Sequence, residues 1–187
     1  ADPRFAAADL LNEAEHGDDS TVVLVTTSAT FADEVDAELE RQLSGLAPSR
    51  ASAARAALGK NGGCVLVDDL AEAGDVANRW APEHLQIAVA AHEETGLLDR
   101  LVNAGEILIG QRTLFSAANF VIGCPASLPT GGFAHVSSGI TAATFLKRTA
   151  VARADAAALE RMTPTILAMS AHEGFPAHAG AAEIRRV

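Results

Sequence analysis

Trp80-Ala81-Pro82-Glu83-His84-Leu85-Gln86-Ile87 is the junction on which the reading of this chain turns. Upstream, Asp69 to Trp80 has a helical pattern, and Pro82 stops it. Downstream, Leu85 to Val89 reads as a short strand. Glu83 and His84 therefore stand at a strand entrance, where α/β proteins often place their chemistry. A carboxylate beside an imidazole supplies two groups able to move protons near neutral pH. The pair alone would also suit a polar surface turn, so the rest of the chain has to decide.

Working outward, strands and helices alternate. Asp2-Pro3 opens a helix that runs to His16. Thr21 to Thr26 reads as a buried strand, Ser28 to Leu43 as a helix closed by Gly45, and Ser49 to Leu58 as a short helix ended by Gly59. Cys64 to Val67 is a second buried strand, in which Cys64 is expected to pack as a small apolar residue. Beyond the central junction come a helix from Glu93 to Asn103 and a strand from Ile107 to Ile109. This alternation predicts an α/β fold: an incomplete Rossmann-like parallel sheet with helices on both faces. Residues 111 to 139 form a long loop rich in Pro and Gly, of the kind usually kept for function. From Thr141 the pattern is helical, with a new helix at Thr163-Pro164 and a short one in the tail from Pro176. The expected division is a half-domain over residues 1–140 and a small helical C-terminal arm over 141–187.

Composition narrows the partners. The net charge of −10 and the lack of a basic patch argue against nucleic acid and anionic membrane. No apolar run is long enough to span a bilayer, and no secretory signal is visible. Cys64 and Cys124 lack metal-ligand spacing, so a reducing, cytoplasmic setting is expected. With only 4% aromatic residues, the core must come from Ala, Leu, Val and Ile, and such a core can lean on a partner surface. The chain starts at Ala rather than Met, which suggests that something upstream is absent.

Six segments stand in order along the chain: Asp9-Leu10-Leu11-Asn12-Glu13-Ala14-Glu15-His16, Ala81-Pro82-Glu83-His84-Leu85, Leu128-Pro129-Thr130, Ser137-Ser138-Gly139, Phe145-Leu146-Lys147-Arg148-Thr149 and Ala177-His178. Taken together, they resemble the C-terminal half of the histidinol dehydrogenase family. The resemblance implies a zinc-containing, NAD-dependent enzyme that oxidises an amino alcohol to an aldehyde and then to a carboxylate, L-histidinol to L-histidine in the family. It makes Glu83 the activator of water in the second step and His84 the base that takes the hydroxyl proton. Glu173 would line the substrate site. His16 and His178 would be metal ligands, with His178 arriving from the exchanged arm of a second subunit in a homodimer. Independently of the resemblance, Glu13 and His16 lie three residues apart on a helix and share a face, so both can reach one cation. The same spacing would equally serve an ordinary polar helix end.

This chain departs from the family pattern at informative positions. Glu13 stands where the family has glutamine and Asn119 where it has aspartate. The metal set becomes Glu13, His16, Asn119 and His178, with zinc or another divalent ion expected, because an amide carbonyl is a weak zinc ligand. Ala126 replaces a substrate-contacting histidine, and Phe115 stands where the family usually has glutamate. The pocket is thus less polar than one shaped for histidinol, and a different small-molecule alcohol is in view. Two other readings compete: a non-catalytic dimerisation module or degenerate relative, and a metal hydrolase using Glu83 as base. Family members are much longer, and their dinucleotide-binding part has no counterpart here. Asn61-Gly62-Gly63 and Gly131-Gly132 read as turns rather than as a Gly-x-Gly-x-x-Gly loop. The cofactor would then come with a separate N-terminal part, and isothermal titration should find weak or no NAD binding to this chain. A nanomolar dissociation constant would overturn that expectation.

Overall fold

Asp2 caps the first helix as an Asp-Pro pair should: its carboxylate accepts from the Arg4 backbone N–H at 2.9 Å. Pro3 sits in the first turn of α1 (Pro3–Ala14). A computed structural model describes the protein over residues 1–185. After α1 come β1 (Val23–Thr26), α2 (Ala29–Leu43), α3 (Pro48–Lys60), β2 (Gly63–Leu66), α4 (Leu70–Trp80), β3 (His84–Ile87), α5 (Ala91–Leu98) and β4 (Glu106–Ile109). A one-turn α6 (Phe115–Ala117) passes into a π-helical turn at Ala118–Ile122. These elements lie within one unit, Ala1–Phe145. A second unit begins at Leu146 and holds α7 (Ala156–Glu173) and α8 (Pro176–Glu183).

The α/β class and the parallel pairing follow the predicted alternation. β1 pairs with β2 from Val23↔Gly63, and β3 pairs with β4 from His84↔Glu106. The sheet is divided, however, into two separate two-stranded ladders, and β1 is not hydrogen-bonded to β3. Residues of β1 and β3 instead line one cleft of about 1750 Å³. The core is alanine-rich, as so few aromatic residues require. Leu11, Ala14, Val22, Leu43, Ala54 and Ala57 gather where α1, α2 and α3 meet the approach to β1. A smaller cluster of Leu108, Phe115 and Ala118, with Cys124 against it, lies under the end of β4.

Several local expectations are corrected. β2 is not buried: Gly63, Cys64 and Leu66 are exposed and only Val65 is half-buried, because β2 pairs on one side only. Cys64 is therefore a surface thiol rather than a packed one. β1 is half-buried along its length. The helix expected to reach Asn103 ends at Leu98 because the Asn78 side chain competes for the backbone beyond it. Asn78 Oδ1 accepts from Val102 and Asn103 N–H at 2.8 and 3.2 Å, and its Nδ2 donates to the Arg100 carbonyl at 2.8 Å. Helix does not begin at Thr141. Apart from a 3₁₀ turn at Ala142–Phe145 the backbone is irregular until Asp155 caps α7, and this exposed stretch has no face to bury. Pro164 does not start a new helix. It lies inside α7, where the buried Thr163 hydroxyl donates to the Leu159 carbonyl at 2.8 Å.

Leu108 is among the largest fully buried side chains, at 2% exposure. Leu108→Ala should cost about 2–5 kcal/mol. Urea unfolding of both chains measures it as a lowered midpoint at unchanged slope.

Candidate functional site

The site is built at the start of the β3–β4 ladder. α4 opens with a side-chain cap: Asp69 accepts from Glu72 N–H at 2.8 Å, and Glu72 Oε2 accepts from Asp68 N–H at 2.8 Å. It closes at Ala81, the one non-glycine residue with positive φ (53°) among the described residues, whose N–H donates to the Ala77 carbonyl at 2.8 Å. A left-handed alanine costs about 1–2 kcal/mol. Here the side chain is buried, at 1% exposure, and the turn sends Pro82, Glu83 and His84 directly into β3. The chain then meets Gly105 and Glu106, whose N–H groups donate to the Pro82 and Glu83 carbonyls, both at 2.9 Å. A Cβ on Gly105 would stand 2.5 Å from the Glu83 carbonyl oxygen and 3.1 Å from Pro129 Cδ. Only glycine fits between the Glu83 backbone and the Leu128-Pro129-Thr130 segment.

His84 is held on several sides. Its Nδ1 lies 2.6 Å from Glu106 Oε1, and its ring meets Phe115 edge-on with centroids 5.5 Å apart. Its Nε2 lies 3.7 Å from Glu83 Oε1, beyond ordinary hydrogen-bond reach. The Glu106 side chain is 6% exposed and the His84 side chain 14%, whereas that of Glu83 is 39% exposed. Burial pushes the Cys124 thiol up, and the Glu106 carboxylate beside it adds to the shift. Two residues along β3, Gln86 donates its amide to the Gly110 carbonyl at 2.7 Å.

Glu83, His84, Asn119, Ala126, Glu13 and His16 all line the same cleft, together with Phe115 and Phe120. On α1, Glu13 Oε2 lies 4.0 Å from His16 Nδ1, while Asn12 Nδ2 donates to Glu13 Oε1 at 2.8 Å. Asp9, one turn earlier and also lining the cleft, has its carboxyl pushed up to about 6, first by burial and then by Glu13. That is the environment a cation would relieve. The lining contains no Lys or Arg side chain. Among the described residues, no three His, Cys, Asp or Glu side chains are gathered closely enough to hold a metal. Glu173 and His178 belong to the second unit: Glu173 ends α7 before the left-handed Gly174, and His178 lies on α8 with its ring stacked 5.0 Å from that of Phe175. Both are exposed.

The residue that sequence reading missed is Glu106. Its one signal is a lone charge at the head of the apolar strand Glu106-Ile107-Leu108-Ile109, directly after Gly105. A reading that starts the strand at Ile107 passes over it.

The family model for histidinol dehydrogenase matches residues 1–186. The chain belongs to the histidinol dehydrogenase family. It is 43% identical over 178 residues to histidinol dehydrogenase from Synechocystis sp., covering 95% of this chain and 41% of that protein. It is 40% identical to the enzyme from Thermobifida fusca, covering 99% of this chain and 42% of that protein. The crystal structure of histidinol dehydrogenase from Elizabethkingia anophelis superposes with a TM-score of 0.89 at 32% identity, over 99% of this chain and 42% of that one. The chain thus spans about two-fifths of the length of the relatives it matches. Among the described residues no helix is long and apolar enough to cross a membrane.

Gly105→Ala tests the close approach that sets the pair in place. The methyl group should cost about 1–3 kcal/mol through displacement of β4, read as a lowered urea midpoint.

Proposed function

We propose that this chain is the part of an NAD-dependent, metal-assisted alcohol dehydrogenase that carries the proton-transfer residues and the metal ligands. The observation that carries the proposal is the Glu83-His84 pair: both side chains line the cleft that Glu13, His16 and Asn119 also line, with His84 held from behind and Glu83 open. In this reading His84 takes the proton of a substrate hydroxyl on Nε2, its free nitrogen. Glu83, the more exposed carboxylate, takes a proton from water in the second oxidation, from aldehyde to carboxylate. Glu173 lines the substrate site from the C-terminal arm. Ala126 and Phe115 replace polar side chains of the family pattern with apolar ones, which favours an alcohol with a less polar end than histidinol.

The donor chemistry on α1 suits a divalent cation, zinc first, through Glu13 and His16, with Asn119 from the π-helical turn and His178 from a partner's arm. When bound, such an ion supplies a positive charge that makes a coordinated hydroxyl easier to deprotonate. Support comes from the uncompensated Asp9–Glu13 pair. A homodimer with exchanged arms agrees with the exposed apolar side chains Phe120, Val121, Val136 and Phe145. The nicotinamide cofactor is assigned to a separate N-terminal part, a reading supported by a cleft lining without Lys or Arg. The second edges of β1 and β3, which carry no strand among the described residues, both border the cleft and leave a place for such a part to join. A cytoplasmic setting goes with this reading, and a place in histidine biosynthesis goes with it where the substrate is histidinol itself. The alternative of a non-catalytic module is favoured by Asn119 and Ala126, which weaken the metal and substrate sets.

Metal analysis decides between the two. Purified protein should carry zinc or another divalent ion, and His16→Ala should lose most of it. Equal and negligible metal in both proteins would end the metal-site proposal and favour the non-catalytic module.

A further inference from the structure

We infer that Glu106 is the positioning residue for His84, fixing the imidazole in the tautomer that carries its proton on Nδ1 and leaves Nε2 as the proton acceptor. The inference rests on the proposed role of His84 as base and adds a residue to it. An ionised carboxylate can only accept hydrogen bonds, so at 2.6 Å the Nδ1 nitrogen of a neutral His84 must be the donor. The pairing is built into the backbone, because His84 and Glu106 are directly opposed in the parallel register. It is shielded from water, because the Glu106 side chain is only 6% exposed and the ring is closed on one side by Phe115.

The two carboxylates around the ring therefore have different tasks. Glu106 faces Nδ1 at hydrogen-bond distance and is buried. Glu83 faces Nε2 at 3.7 Å and is the more open of the two. That gap leaves the Nε2 lone pair available for an incoming O–H. When the hydroxyl proton moves to Nε2, the ring becomes an imidazolium with Glu106 already hydrogen-bonded to it, and no proton moves to Glu106. Phe115 meets the same ring edge-on, and the carboxylate that meets the imidazole comes from β4.

Long-range ¹H–¹⁵N spectra of the histidine-labelled 187-residue chain, recorded where the ring is neutral, report the tautomer without requiring turnover. His84 is assigned by the resonances lost in His84→Gln. In the wild type, Nδ1 should resonate as a protonated nitrogen and Nε2 as an unprotonated one. Glu106→Ala should turn the population toward Nε2–H, the favoured form of free imidazole. Glu106→Gln, whose amide oxygen can still accept, should keep Nδ1–H. A wild-type ring protonated on Nε2 overturns the inference, even if Glu106→Ala fails to fold; so does a folded Glu106→Ala with an unchanged ring. The dehydrogenase reading fails separately: a chain with the Nδ1–H ring that, joined to a relative's N-terminal part, oxidises no alcohol would retain the pairing and lose the activity.

Discussion

The site depends on how closely β4 approaches the backbone of Pro82 and Glu83. The N–H groups of Gly105 and Glu106 close onto the Pro82 and Glu83 carbonyls, and the absence of a side chain at 105 makes that distance possible. Once this contact forms, the parallel register leaves no freedom: His84 falls opposite Glu106 and Leu85 opposite Ile107. The same approach brings Pro129 against Gly105, so the long loop after α6 is seated by the contact that orients the pair. One steric allowance at a glycine thus organises a helix end, two strands and a loop.

The electrostatic design follows from that placement. An imidazole between two carboxylates has two distinct ends, and burial distinguishes them. The buried carboxylate can hold the ring, while the exposed one can meet solvent or substrate. Across the cleft lining, α1 offers Asp9 and Glu13, and the turn after it His16, with no Lys or Arg to compensate the carboxylates. A surface with that charge balance is more favourable to cations than to anions.

Much of this was legible in the sequence because it rests on local rules. Asp2-Pro3, the start at Asp69 and the stop at Gly174 mark helix ends through local chemistry that spans three or four residues, whereas the cap at Asp155 was passed over in favour of a start at Thr141. Glu83-His84 stood out as adjacent residues in a helix-to-strand junction. Where the reading failed, a distant group had intervened. Asn78 takes the backbone of residues 100–103 away from α5. A long, capped α7 absorbs Pro164, and an unpaired second edge leaves Cys64 in the open.

By itself the sequence determined the alternation of elements, the parallel pairing that such alternation implies, the family and the adjacent acid–imidazole pair, since each is written in short-range patterns or in the order of motifs. Only the tertiary structure decided that the strands form two ladders with a cleft beside them, and that Glu106, 22 residues beyond His84, is its partner. Strand register joins residues across an intervening helix, and no short-range rule contains that distance.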